Sequence, residues 1–279
     1  MANYVLDIIE MMQNKHNFNL SVFEKVFLEK IIDTRMHETC QVEYLQYLTL
    51  LETSHEEAQK LNSALQITYS QFFRDSLTFA NLENTVLAAI VNGYSENYEI
   101  RIWSVGCSTG QEAYSVAILM SELSLQLGRN IRYRIIATDI SEEALRIARE
   151  GRYCHGAMLN LKMKHIETYF EKKDNVYAIS SDIKSHIVFI NYDLLDKRTL
   201  NPPDSIYGDF NLILCCNLLI YFNRQSQRNS LEKLKRTLVP KGYLVVSEVE
   251  KSILIDDQSV CPVNVDSSIF QNLRRRQAT

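Results

Sequence analysis

The chain has 279 residues, 46% of them hydrophobic and 23% charged, with a formal net charge of −4. This balance is ordinary for a globular protein and supplies no global positive field to draw it to nucleic acid or an anionic membrane surface. No window reaches the roughly 18 continuous apolar residues of a membrane span.

The N-terminal run MANYVLDIIEMMQNKHNF carries Asp7 and Glu10 inside its apolar pattern and no basic segment ahead of it, which argues against a signal peptide. Residues 1 to about 65 contain neither Gly nor Pro and read as helices. Tyr4, Ile8, Ile9 and Met12 make one apolar face, and Val22, Phe23, Val26, Phe27, Ile31 and Ile32 a second, with Leu20-Ser21 as a helix start. Tyr44, Leu45, Tyr47, Leu48 and Leu51 predict a third helix. Ser54-His55-Glu56-Glu57 has the spacing of a capping box for a fourth, running through Leu61 and Leu65. These stripes predict a helical domain over residues 1–75, followed by a linker helix over 76–97.

From about residue 98 the pattern becomes α/β alternation. EIRIWSVGC reads as a strand and QEAYSVAILMSELSLQL as a helix; IRYRIIATDI is a strand and SEEALRIAREG a helix from a Ser cap to Gly151. HIVFINYDLL, DFNLILCCNLLIYF and GYLVVSEVE supply further strands, QSQRNSLEKLKRTL a helix, and Asp266 to Leu273 a late strand. Alternation of this kind predicts a doubly wound, mostly parallel sheet over residues 98–279, with its ligand at the carboxyl ends of the strands. Between about 153 and 186 the order loosens into a short helix and short strands, more than a plain connection needs, so a small inserted subdomain is expected. The six cysteines, at 40, 107, 154, 215, 216 and 261, form no CxxC pair and no zinc-ligand cluster. They suit a cytoplasmic protein, with Cys107, Cys215 and Cys216 as small core residues. Arg274-Arg275-Arg276 reads as a solvated tail.

The chemistry concentrates in IWSVGCSTGQEAYSVAILM, residues 102–120. A strand, a turn from Gly106 to Gly110 and a helix let a nucleotide-like ligand approach bare backbone. The turn lacks the third glycine of the dinucleotide fingerprint, and no phosphate-loop Lys follows. A ligand with no pyrophosphate suits it, as S-adenosylmethionine does. Asp139 ends the second strand, where an acid accepts ribose hydroxyls; it could otherwise be a turn residue. Glu112 is either a ligand-binding acid or an ordinary first-turn acid favoured by the helix dipole. Asn217 and Tyr221 follow the fourth strand at the mouth of the expected cleft. Arg74, in TYSQFFRD, stands behind two aromatics that could merely pack against it.

TYSQFFRD, WSVGCSTGQEAYS, ATDIS with EALRIAREGRY, CCNLLIYF and PKGYLVVSEVE, in that order, resemble the CheR family of chemotaxis-receptor protein-glutamate O-methyltransferases. The resemblance covers nearly the whole chain, and FFRD ahead of the GCSTG turn is its most specific part. It implies an all-α N-terminal domain, then a Rossmann-like S-adenosylmethionine-dependent methyltransferase domain with a small inserted β-subdomain. It implies S-adenosyl-L-methionine as cofactor and S-adenosyl-L-homocysteine as product. By motif, Thr68, Ser70 and Arg74 meet the methionine end of the cofactor or the incoming carboxylate, and the bare backbone at Gly106 faces the cofactor. Glu112 binds the methionine amine, Asp139 the ribose, and Asp193-Leu194 flank the adenine. Asn217-Leu218 lie against the cofactor and Tyr221 beside the methyl group, so Arg74 and Tyr221 are the expected catalytic pair.

The implied partner is the cytoplasmic domain of a chemoreceptor, met by a monomer with no nucleic acid, no metal and no membrane insertion. The chain departs from the family at Cys216, where a basic residue is usual, and in PKGYLVVSEVE, which lacks one Gly and a His-Ser pair. Gln111-Glu112-Ala113 replaces Glu-Glu-Pro. The second helix offers only Lys25, Lys30 and Arg35 among Glu24, Glu29 and Asp33, where an Arg-rich face is typical. Two alternatives therefore stand beside receptor methylation. One is a methyltransferase of another acceptor; the other is a non-catalytic module that binds cofactor or product.

Overall fold

A computed structural model describes residues 4–203, 205 and 209–274, and the chain divides into two compact units. One comprises the chain up to Ile67 with Leu218–Ser230; the other comprises Thr68–Asn217 with the chain from Leu231 onward. Arg275 and Arg276 lie outside the described residues. Arg274 is not a free tail residue: its guanidinium donates to Glu232 at 2.7 Å.

The first unit packs α1 (Tyr4–His16), α2 (Lys25–Glu38), α3 (Tyr44–Thr53) and α4 (His55–Ala64) around one core. Val5, Ile8 and Met12 supply the buried stripe of α1, and Leu28, Ile32 and Met36 that of α2. The expected face of α2 is therefore rotated: Val26 is 69% exposed. Its start also moves, because Leu20–Val22 forms a separate 3-10 turn capped by Asn19, and the Glu24 carboxylate accepts from the N–H groups of Val26 and Phe27. Half of the predicted capping box forms. Ser54 Oγ accepts the Glu57 N–H at 3.2 Å, but the Glu57 carboxylate turns inward. It takes two guanidinium bonds from Arg35, at 2.6 and 2.9 Å, and the Tyr47 hydroxyl at 2.9 Å.

The second unit holds a seven-stranded sheet in the order β6-β2-β1-β7-β8-β10-β9. These strands are β1 (Ile100–Val105), β2 (Tyr133–Asp139), β6 (Ile187–Asn191), β7 (Phe210–Cys215), β8 (Leu238–Val246), β9 (Val260–Pro262) and β10 (Ile269–Asn272). The first five pair in parallel, while β10 runs antiparallel to β8 and to β9. The expected late strand is β10; β9 was too short to carry a periodic signal. A smaller antiparallel sheet joins β3 (Arg152–Cys154), β5 (Val176–Ile179) and β4 (Phe170–Lys173). The fold is thus a mostly parallel α/β sheet with a small antiparallel sheet and an N-terminal helical region.

Its helices are α5 (Ser76–Asn81), α6 (Leu87–Asn92), α7 (Gln111–Leu127), α8 (Glu142–Glu150), α9 (Met163–Tyr169) and α10 (Ser181–Ser185). The boundary between the units crosses α11 (Arg224–Thr237). Ser141 caps α8 through the Ala144 N–H, and Gly151 closes it in the left-handed region at φ +58°. Segment 68–97 groups with the sheet, and Phe72, Phe79, Leu82, Val86 and Ile90 share the core of α7 and β1. Every residue of β7 is buried, as a central parallel strand covered on both faces requires. No helix of the described residues is long and apolar enough to cross a membrane.

Replacing Glu57 tests the helical core. Glu57→Ala takes two bonds from Arg35, which keeps Glu38, and removes the acceptor of the wholly buried Tyr47 hydroxyl, an expected loss of about 2–3 kcal/mol. The double change Arg35→Met with Glu57→Leu removes the whole pair and should cost much less. Urea unfolding of both variants measures this, and equal losses would overturn it.

Candidate active site

Strand β1 is the point where the sheet reverses direction: β2 lies on one side of it and β7 on the other. Crevices outside the carboxyl ends of strands form at such switch points. The turn from β1 into α7 fills this one. Gly106, Ser108 and Gly110 all take left-handed backbone, at φ +63°, +52° and +93°. Gly110 is required twice over, because an added Cβ would lie 2.9 Å from the Ala148 Cβ and 3.2 Å from the Phe189 and Tyr114 rings.

Four bonds fix the turn from outside. The Cys107 N–H donates to Thr138 O at 2.9 Å, and the Ser108 N–H to Asp139 Oδ2 at 2.8 Å. The Ser108 hydroxyl donates to Thr68 O at 2.7 Å, and the Tyr153 hydroxyl to Thr109 O at 2.7 Å. The other carboxylate oxygen of Asp139 accepts the Ser141 N–H at 2.9 Å. Burial raises the Asp139 pKa, opposed by bonds from the Ser141, Ser108 and Ile140 backbone. Asp139 therefore spans the turn and the start of α8, with acceptor capacity left on its carboxylate.

Glu112 stands one residue inside α7, and its carboxylate accepts the Ser104 hydroxyl at 2.7 Å. Desolvation pushes its pKa up to about 7. Hydrogen bonds from Ser104 and Cys216 oppose the rise, the Glu250 charge adds to it, and the Arg74 charge opposes it. Arg74 itself is exposed, its guanidinium 5.2 Å over the Tyr69 ring, and no ion pair among the described residues closes on it. Thr68 is exposed, with its carbonyl taken by Ser108, and Ser70 lies two residues on, partly buried.

After β7 the chain kinks at Asn217, φ +57°, whose N–H donates to Glu250 Oε2 at 2.9 Å. That oxygen also takes the Ser247 N–H at 3.0 Å and hydroxyl at 2.6 Å. Beyond β6, the Tyr192 N–H donates to Asp139 O at 3.0 Å, which ties the Asp193-Leu194 corner to the tip of β2. Asp193 is exposed and Leu194 buried.

The sheet unit thus gathers Thr68, Ser70, Arg74, Gly106, Glu112, Asp139, Asp193, Leu194 and Asn217. Leu218 and Tyr221 belong to the helical unit, where the Tyr221 ring packs 4.8 Å from Phe27 and its carbonyl accepts the Glu24 N–H at 2.8 Å. Sequence reading missed Ser104 and the fully buried Glu250. Both stand at carboxyl ends of strands, the one signal that could have found them.

The donor set can be tested against a ligand. A desolvated carboxylate with a raised pKa suits a ligand ammonium. A strand-tip acid with spare lone pairs suits ribose hydroxyls, and an exposed guanidinium suits a carboxylate. The ribose and amine of S-adenosylmethionine fit these residues, and the guanidinium suits a carboxylate of the cofactor or of an acceptor.

A family model described as CheR methyltransferase, SAM binding domain, matches residues 68–261. The chain is 31% identical over 248 residues to the chemotaxis protein methyltransferase of Borreliella burgdorferi, covering 87% of this chain and 86% of that one. It is 30% identical over 259 residues to chemotaxis protein methyltransferase 2 of Vibrio cholerae, covering 92% and 84%. It is 28% identical to 27% of an uncharacterized 104.1 kDa protein of Rhodobacter capsulatus, over 96% of its own length.

Gly110→Ala tests the tight turn. Left-handed backbone and the 2.9 Å approach together should cost about 2–4 kcal/mol, read as a lowered thermal midpoint. A midpoint equal to that of the unchanged protein would remove the steric argument.

Proposed function

The chain belongs to the CheR methyltransferase family, and we propose that it methylates glutamate side chains on the cytoplasmic helices of a chemoreceptor, the reaction of chemotaxis adaptation. The observation that carries this reading is Arg74, a guanidinium with no ion pair among the described residues, within electrostatic reach of Glu112. A cation within electrostatic reach of the acid proposed for the cofactor suits an anionic acceptor. The bound cofactor supplies an electrophilic methyl group on a sulfonium.

A glutamate carboxylate is ionised at pH 7, so it needs no general base. The task left to the protein is alignment and the removal of water from both charged partners. In this reading Arg74 holds the acceptor carboxylate through its planar fork of donors. Glu112 takes the methionine ammonium, with Ser104 and Cys216 orienting its carboxylate. Asp139 takes the ribose through its spare lone pairs, and Gly106 gives the cofactor access to backbone. Asp193 and Leu194 flank the adenine, and Thr68 and Ser70 border the methionine end. Asn217 lies against the cofactor. The enzyme acts as a monomer in the cytoplasm, where receptor helices are accessible.

One observation favours a second acceptor. The exposed face of α2 carries Glu29, Asp33 and Glu38 beside Lys30 and His37, a mixed surface in place of a basic one. A protein less acidic than a receptor bundle, or a small molecule, would suit such a face.

Transfer of labelled methyl to receptor-bearing membranes, followed by mild base, separates these readings. A glutamyl ester releases volatile methanol, whereas methylated nitrogen does not. Methanol release from receptor is expected, and label on a different acceptor would establish the second reading. Arg74→Ala should lose most transfer, at least about 100-fold if it aligns the nucleophile. Near-normal turnover would overturn its role.

The Glu112 value also fixes a pH dependence. The free carboxylate binds a proton with a pKa of about 7, and pairing with the cofactor ammonium requires that proton to leave. Cofactor affinity should therefore be highest between about pH 7 and 8, where carboxylate and ammonium are both charged, and fall about 20-fold between pH 7.5 and 5.5. Calorimetry measures it; a flat profile across that range, or an unchanged one in Glu112→Gln, would refute the assignment.

A further inference from the structure

We propose that Ser115 and His165 are positioning residues for Arg74, acting through Phe73. The inference rests on the role given to Arg74 above. Phe73 takes left-handed backbone at φ +47°, a conformation that bulky residues seldom adopt without support. Support comes from two sides. The Phe73 N–H donates to Ser115 Oγ at 3.1 Å, and the Ser115 hydroxyl donates onward to Gln111 O at 2.7 Å, so its oxygen stays oriented as an acceptor. The Phe73 ring stacks on the His165 ring, centroids 5.4 Å apart and planes 29° from parallel, and meets Phe79 near edge-on at 5.1 Å.

His165 is 2% exposed, and its Nδ1 has no hydrogen-bond partner among the described residues. Burial lowers its pKa, which keeps the ring neutral at pH 7. A buried imidazole with an unserved nitrogen serves here through its ring face, and that face is what Phe73 touches.

Both supports trace back to α7. Ser115 lies on it, three residues after Glu112 and on the same side. His165 lies on α9, which is fastened to α7 through Glu122: the Tyr169 hydroxyl donates to that carboxylate at 2.7 Å, and Lys164 pairs with it. Among the described residues Arg74 has no anchor beyond the Tyr69 ring, so its direction is set by the backbone that Phe73 holds. One helix therefore fixes both the acid assigned to the cofactor amine and the loop that aims the guanidinium. Such sharing keeps the two groups in register with one another.

The test uses the full chain, labelled methyl transfer to receptor-bearing membranes, cofactor affinity by calorimetry and thermal midpoints. Ser115→Ala and His165→Ala should each lose about 10- to 100-fold in kcat while cofactor Kd stays within about two-fold, since a misplaced clamp costs rate more than binding. Ser115→Thr restores the acceptor and His165→Phe restores the stacking ring, so both should recover kcat to within about three-fold. Should an alanine variant fail to fold, Phe73→Gly keeps the left-handed backbone and removes the stacked ring, and the same loss of kcat is expected. Alanine variants with wild-type kcat would overturn the proposal. So would equal losses in kcat and cofactor affinity, or conservative variants that fail to recover. If Arg74→Ala keeps its turnover, the reading of Arg74 falls and the proposal falls with it; lost turnover there with unaffected Ser115→Ala and His165→Ala overturns the proposal alone.

Discussion

The sheet unit depends on one constraint: the chain must turn from β1 into α7 within five residues while keeping its backbone open to a ligand. Three left-handed residues make the turn, and the Asp139 carboxylate holds it by accepting the Ser108 N–H. Three neighbouring segments are then tied to those residues or to Asp139. Segment 68–74 joins through Thr68 O, the small sheet through the Tyr153 hydroxyl, and the corner after β6 through Asp139 O. Asp139 is thus a structural brace as well as the proposed ribose acceptor, because each carboxylate oxygen can accept twice.

Charge supplies a second constraint. Glu112 and the buried Glu250 act on one another, and the thiol of Cys216 touches the first of them. Burial and both acids keep that thiol protonated, so it serves as a weak hydrogen-bond donor and not as a nucleophile. The two acids differ in how they are served. Glu250 takes three donors on one oxygen, so its charge is held by the chain itself. Glu112 has weaker service and keeps a raised pKa, the condition of a carboxylate awaiting a cationic partner.

The legible parts of the fold were those with local signals. Ser141 and Gly151 bound α8 as their residue types predict, because a hydroxyl cap and a left-handed glycine act within one turn of helix. The run Leu212–Cys215 in β7 is continuously apolar, as a central strand covered on both faces requires. Where a local rule met a stronger non-local partner, the rule gave way. The Glu57 carboxylate left the capping box for Arg35 and Tyr47, since two charge-assisted bonds in a buried setting outweigh one bond to a helix end. The face of α2 rotated for a similar reason: its apolar residues outnumber those the core can take, and packing selected Leu28, Ile32 and Met36 over Val26.

By itself, the sequence determined the α/β alternation, the helical N-terminal region, the strand–turn–helix at Gly106–Gly110 and the strand-tip position of Asp139. Each of these depends on residues close together in the chain, so periodicity and residue type suffice to read them. The tertiary structure alone decided that Ser104 and Cys216 orient Glu112, that Glu250 pins Asn217, and that Phe73 is gripped by Ser115 and His165. Except for Ser104 with Glu112, those partners stand 33 to 104 residues apart, as numbering gives for Asn217 with Glu250 and for Glu112 with Cys216. No local pattern encodes such a meeting; it exists only once the sheet and the helices packed on it have brought distant segments together.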